Sequence, residues 1–237
     1  TNLDSMGVGH YSADFSIGNV RLHHIDCIEW MKDKSDNYYD LAIVDPPYGS
    51  DNIIGGYTSN KGGGVAAQRD YNRALWGQEC PDKNYFDEIM RVSRNQIIWG
   101  ANHFISKIPY DSSCWIVWDK LNGVGSSFAD CELAWGSFKK AVRKFTFRWA
   151  GMLQGDMKNK EHRIHPTQKP VQLYRWILIN YAKENDKILD THGGSFSSAT
   201  ACHLEGFEYD GCEIDEEYYQ SGCKRFENDT KQRRLFA

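Results

Sequence analysis

Apolar and polar positions along this chain follow two periods. Asp40-Leu-Ala-Ile-Val44 is a short apolar, β-branched run closed by Pro46-Pro47, which predicts a buried strand. Val20 to His24, Gln96 to Trp99, Cys114 to Trp118, Lys187 to Asp190 and Glu208 to Glu213 read as further strands. Cys131 to Trp135 and Lys144 to Trp149 alternate well enough to predict an antiparallel pair. Between these runs the spacing turns helical: around Cys27 to Lys32, and from an Asp82 cap to Ser93 with Phe86, Ile89 and Met90 on one face. Pro170 opens a helix carrying Leu173, Trp176, Ile177 and Ile179; two more helices are predicted over Ser195 to Glu205 and from Asp215 onward. Strand and helix alternating in this way predict an α/β fold of the Rossmann-like, doubly wound kind, with a mostly parallel sheet and an antiparallel hairpin.

Length keeps this to one domain over 1–237, enough to bury a full core. Residues 49 to 80 break the pattern, being rich in Gly, Ser and Asn without periodicity; a structureless stretch that long inside a compact domain is usually functional. No apolar run approaches the roughly 20 residues that span a bilayer. Thr1 to Met6 read as an appendage with Met6 as the natural start, and the N-terminus lacks an export signal. The seven cysteines form no C-x-x-C pair, so reduced thiols in a cytoplasm are expected, with no metal site.

Net charge is −4, which excludes a general polyanion binder, but the charge is unevenly placed. Lys139 to Lys169 holds nine basic residues against Asp156 and Glu161. Such a local excess can hold phosphates while the rest of the surface stays acidic.

Candidate chemistry begins at Asp45-Pro46-Pro47-Tyr48. An exocyclic base amine is a poor nucleophile because its lone pair is delocalised into the ring. A carboxylate and a backbone carbonyl accepting its two N–H bonds favour the pyramidal, nucleophilic form. Asp45 and the carbonyl of Pro46 can supply those acceptors, two proline rings stiffen the backbone, and Tyr48 can stack on a base rotated out of a duplex. In a doubly wound sheet, ligands sit beyond the carboxyl ends of strands, where Asp45 and Asp190 are both predicted to fall.

With these residues the chain resembles the amino-methyltransferase family of bacterial and phage DNA methyltransferases. Its order, catalytic motif first and cofactor motif late, is similar to the permuted β group, and matching segments run from about Leu22 to Tyr219. The resemblance implies the class I S-adenosylmethionine-dependent fold and transfer of the cofactor's methyl to adenine N6 by direct displacement. It assigns catalysis to Asp45, Pro46, Pro47 and Tyr48. It implies that Asp190, Gly193, Gly194 and Ser195 wrap the methionine end of S-adenosylmethionine, beside Asp45, that His165-Pro-Thr-Gln-Lys-Pro170 leads from His165 into the helix beside that end, and that Thr167 and Lys169 approach its carboxylate. Glu213 would accept from the ribose hydroxyls, and Asp26 and Cys27 would lie at the adenine ring. His192 replaces the family's usual Phe, and Phe196 its second Gly.

Double-stranded DNA is the implied partner, with a homodimer as one way to extend a short footprint. Target recognition is expected in 49–80 and 143–164, using Tyr48, Lys61, Arg69, Arg73, Lys144, Arg148, Lys158 and Arg163. Two other readings use the same residues: methylation of cytosine N4 in DNA or of an amine in RNA, and a catalytically inactive methyltransferase-like module that binds nucleic acid.

Overall fold

The computed structural model describes residues 15–49, 80–122, 129–150 and 153–234. In chain order the elements are β1 (Phe15–Ile17), β2 (Val20–His24), α1 (Cys27–Lys32), β3 (Tyr39–Val44), α2 (Lys83–Val92), β4 (Ser93–Trp99), β5 (Cys114–Asp119), β6 (Cys131–Gly136), β7 (Arg143–Thr146), β8 (Trp149–Ala150), β9 (Leu153–Gln154), α3 (Val171–Tyr181), β10 (Lys187–Asp190), α4 (Ser197–Glu205), β11 (Glu208–Glu213) and α5 (Glu216–Arg234). Among them one sheet of nine strands runs in the order β1-β2-β11-β10-β3-β4-β6-β5-β7. Neighbours from β2 through β4 are parallel, whereas β1 and β6 run against the rest.

Helices cover both faces, which is why the central strands read as unbroken apolar runs. Within β3, Leu41 and Ile43 point into a core completed by Leu173, Ile177 and Phe226 of α3 and α5, while Ala42 and Val44 point into a second core with Met31, Phe86 and Ile89 of α1 and α2. The doubly wound, mostly parallel architecture expected from the sequence is the one observed. Asp26 caps α1 by accepting from the N–H groups of Ile28 and Glu29, and Asp82 caps α2 through Tyr85.

Three details differ from the sequence reading. The strand at Cys131–Gly136 does not pair with the one at Arg143–Thr146. It sits between β4 and β5, antiparallel to both, and β7 lies on the far side of β5, parallel to it. Alternation identifies a strand but not its partner, and the antiparallel hairpin is β5–β6. The helix expected from Ser195 begins at Ser197, because Phe196 is left-handed with φ +53°. On α3, Leu173 and Ile177 are buried as expected, but Leu178 takes the buried place expected of Ile179, which is 66% exposed.

A buried polar cluster was not legible in the sequence. Asp210 in β11 accepts from Arg21 Nε at 2.7 Å and from the Tyr39 hydroxyl at 3.1 Å, with His23 Nε2 at 3.1 Å. Burial opposes ionisation there, but His23 and Arg21 more than offset it and hold the Asp210 carboxyl well below the usual carboxylate range.

Candidate active site

Sheet order explains the site. β2, β11, β10 and β3 are adjacent and parallel, so the residues that follow their carboxyl ends share one edge. Asp26 follows β2, Glu213 ends β11, Asp190 ends β10 and Asp45 follows β3. Four acidic residues scattered over 188 positions are thereby lined up in space, at the place where doubly wound sheets bind ligands.

Asp45 is engaged on both oxygens. Tyr48 donates its hydroxyl to Oδ1 at 2.7 Å, and the Lys169 ammonium donates to Oδ2. Lys169 also reaches the Tyr48 hydroxyl at 3.4 Å and lies 3.2 Å from Glu132 Oε2; Lys120 pairs with the other oxygen of Glu132. Burial alone would pull the Lys169 ammonium down, yet Asp45 and Glu132 raise its pKa above the ordinary lysine value. Glu132 is pushed up by burial, but Lys169 and Lys120 win and keep it below the usual range. Burial, then the Asp45 charge, push the Tyr48 hydroxyl well up, so it serves as a hydrogen-bond donor.

Tyr48 is held from beneath. Its ring stacks on His103 with centroids 4.8 Å apart and planes 15° from parallel. Its edge occupies the space a side chain at Gly100 would need, and Gly100, at φ +67°, turns the chain from β4 into the short 3-10 turn at Ala101–His103. One face of the Tyr48 ring is thus already taken by His103.

The loop after β10 is tied to its neighbours by carboxylates. Asp190 accepts from His192 N–H at 3.0 Å and from the Ser198 hydroxyl at 2.6 Å. Burial pushes its pKa up to about 6, against those two hydrogen bonds. Glu213 accepts from Gly194 N–H at 2.7 Å and from Asp215 N–H at 2.9 Å, while burial raises its carboxyl. Phe196 does not obstruct the turn. Its side chain is fully buried, packs edge-on against Tyr219, and fills the space left by Gly193 and Gly222. His192 bonds Thr191 Oγ1 at 2.9 Å, which in turn meets the Tyr85 hydroxyl at 2.7 Å; burial lowers the His192 pKa to about 4.

His165 and Thr167 belong to the same locale. The His165 ring lies beside Gly194 and edge-on to Tyr218, with Thr167 Oγ1 at 3.1 Å from its Nδ1. Burial, reinforced by the Lys169 charge, lowers the His165 pKa to about 4, so both ring histidines are neutral at neutral pH. Asp26 is exposed at its cap position, and burial pushes the adjoining Cys27 thiol up to about 12, making it an inert lining residue.

The structure therefore brings Asp26, Cys27, Asp45, Pro46, Pro47, Tyr48, His165, Thr167, Lys169, Asp190, Gly193, Gly194, Ser195 and Glu213 to one edge. It differs from the sequence reading over Lys169, which lies on Asp45 and Tyr48. The expected phosphate contacts fare unevenly. Lys61, Arg69 and Arg73 lie outside the described residues, with most of 49–80. Arg148 and Lys158 are exposed; Lys144 is exposed but pairs with Asp119 at 3.3 Å, and Arg163 lies over the Trp149 ring at 4.3 Å. Two of the charges counted in the basic stretch are paired within the fold: buried Lys169 on Asp45, and half-buried Glu161 against Arg225 at 2.8 Å.

Sequence reasoning missed Glu132, Lys120, Arg225, Gly100 and His103. Arg225 donates to Ser195 O and Ser197 Oγ, each at 2.8 Å, and so bolts α5 to the glycine turn. The signal for Glu132 and Arg225 was present, since each is a charged residue set among the apolar positions of a strand or helix.

Residues 67–224 match the family model described as DNA methylase, the N6/N4 type. The match begins after Tyr48 and takes in His165–Pro170, Asp190–Ser195 and Glu213. Among named relatives, the type II methyltransferase M.HinfI of Haemophilus influenzae is 25% identical across 84% of this chain, which spans 66% of that enzyme's length. The DNA adenine methyltransferase YhdJ of Escherichia coli is 34% identical over 67 residues, 28% of this chain and 23% of its own. In structure, M1.HpyAVI solved with S-adenosylmethionine superposes with a TM-score of 0.54 at 23% identity, over 87% of this chain and 99% of that one. At that identity the likeness speaks to the fold, and it agrees with the sheet described above.

Proposed function

The chain belongs to the N6/N4 DNA methylase family, and from that premise we propose that it transfers a methyl group from S-adenosylmethionine to the N6 amine of adenine in duplex DNA. The observation that carries the reading is the shared edge: Asp45, followed by two prolines and a hydroxyl-donating tyrosine, stands two strands from Glu213 with Asp190 and the glycine turn between them.

Those residues fit S-adenosylmethionine. Its ribose hydroxyls need a buried acceptor at the end of the strand next to the glycine turn, and Glu213 is a buried carboxylate there. Its adenine has Asp26 and the apolar Cys27 one strand further along, and its methionine end has the Gly193-Gly194 backbone with His165 and Thr167 alongside. When bound, the cofactor supplies an electrophilic sulfonium methyl. The amine of adenine is too weak an acid to be deprotonated beforehand. Asp45 accepts one of its N–H bonds and the Pro46 carbonyl the other, which localises the lone pair, and Asp45 takes the proton as the new bond forms. Tyr48, pinned by His103 and Gly100, stacks on the base.

Asp at the first position of the tetrapeptide favours adenine over cytosine, and the name of YhdJ agrees. Exposed Arg143, Arg148, Lys158 and Lys160 are the described basic side chains placed to meet phosphates. Incubation with methyl-labelled cofactor and DNA, RNA or protein in separate reactions tests the reading. Label should enter DNA alone, and label confined to RNA or protein contradicts it.

A further inference from the structure

Glu132 is an acidic residue on β6 that no part of the chemistry above uses. Its two oxygens stand between two lysines: Lys120 on Oε1 and Lys169 at 3.2 Å from Oε2. Lys169 continues to Asp45, giving an alternating row of charges, Asp45, Lys169, Glu132, Lys120, that sums to zero. Neutrality along the row is what lets four charged groups share a partly buried place, because unpaired burial of any one is expensive.

The row has a loose joint. Glu132 Oε2 is buried and within ion-pairing distance of Lys169, yet no aligned hydrogen bond reaches it. On the other side, both oxygens of Asp45 are already taken, by Tyr48 and by Lys169. An incoming amine competes with these donors for the carboxylate. A lysine whose only partner was Asp45 would resist, because leaving would strand a buried ammonium. A second carboxylate already within reach removes that obstacle.

We propose that Glu132 is a positioning residue: it takes over the Lys169 ammonium when Asp45 accepts the target amine, and its charge keeps Asp45 a strong acceptor. The inference deepens the methyl-transfer reading and rests on it for its catalytic consequence. The groups that face this row are Tyr48, Tyr85, Tyr174, His103, His165 and Asp190, all uncharged at neutral pH except the last.

The test compares the unsubstituted chain with Glu132→Gln and Glu132→Asp. First, the Lys169 ammonium is titrated by nitrogen-15 NMR on the protein alone. Removing the neighbouring negative charge should move its midpoint to lower pH in Glu132→Gln, and an unmoved midpoint overturns the proposal. Second, single-turnover methyl transfer to duplex DNA should fall about tenfold in Glu132→Gln and recover in part in Glu132→Asp, with cofactor binding by calorimetry unchanged. In a Lys169→Met background the Glu132→Gln change should cost nothing further; an equal further loss would mean that Glu132 does not act through Lys169. The NMR arm decides the inference even if the unsubstituted chain transfers no label to DNA, an outcome that would instead sink the functional reading.

Discussion

The ring of Tyr48 occupies the space that a side chain on Gly100 would need, so the two residues define each other's position. Gly100 also holds φ +67°, which an L side chain adopts at a cost of roughly 1 kcal/mol or more. Gly100→Ala should therefore displace Tyr48 from its stack on His103 and break its hydrogen bond to Asp45. The expected outcome is a loss of methyl transfer of at least tenfold with cofactor affinity retained within about twofold. Unchanged transfer in a folded Gly100→Ala protein would mean that the position of Tyr48 is not needed.

Arg225 links three segments that sequence places far apart: α5, the turn before α4, and Glu161 ahead of α3. Removing one partner of a buried ion pair leaves the other charge uncompensated, typically costing about 3–5 kcal/mol. Arg225→Met should lower the melting temperature by on the order of 10 °C. Adding Glu161→Gln should recover part of that loss, because the stranded carboxylate is then gone. Thermal unfolding of the single and double variants decides it, and a double variant less stable than the single one contradicts the account.

His192 and His165 make stability fall as the solution turns acid. Burial lowers both to about 4, below the usual value near 6.5. Between those values the unfolded chain binds protons that the folded one does not, so stability is lost as pH falls through the window. Asp190 opposes this, since its raised pKa of about 6 means that the folded state takes up a proton first. His192→Phe removes one histidine from the balance. Its stability should fall less steeply between pH 6.5 and 4, by up to about 1.4 kcal/mol per pH unit, in urea titrations at stepped pH. Equal slopes for the two proteins would contradict the burial of that ring.

Much of this arrangement was written locally. β3 and β10 announce themselves as apolar runs, and because parallel strands place their carboxyl ends together, Asp45 and Asp190 are assigned to one edge from the sequence. What local pattern cannot carry is the choice of partner. Alternation in Cys131–Trp135 and Lys144–Trp149 was real, yet β5 intervenes between those strands. Lys169 was legible as a site residue but not as the partner of Asp45, 124 positions away. Phe196 reads from the sequence only as a bulky residue in place of a glycine, because the space its ring fills depends on Gly193 and on the distant Gly222.

The central claim is that Asp45 directs methyl transfer to adenine N6. Duplex DNA incubated with the protein and S-adenosylmethionine, then digested to nucleosides and analysed by mass spectrometry, measures that directly. N6-methyladenine should accumulate with the unsubstituted chain and be absent with Asp45→Ala, whose cofactor binding stays intact. Methyl groups found on cytosine N4, or equal N6-methyladenine from the Asp45→Ala protein, would contradict it.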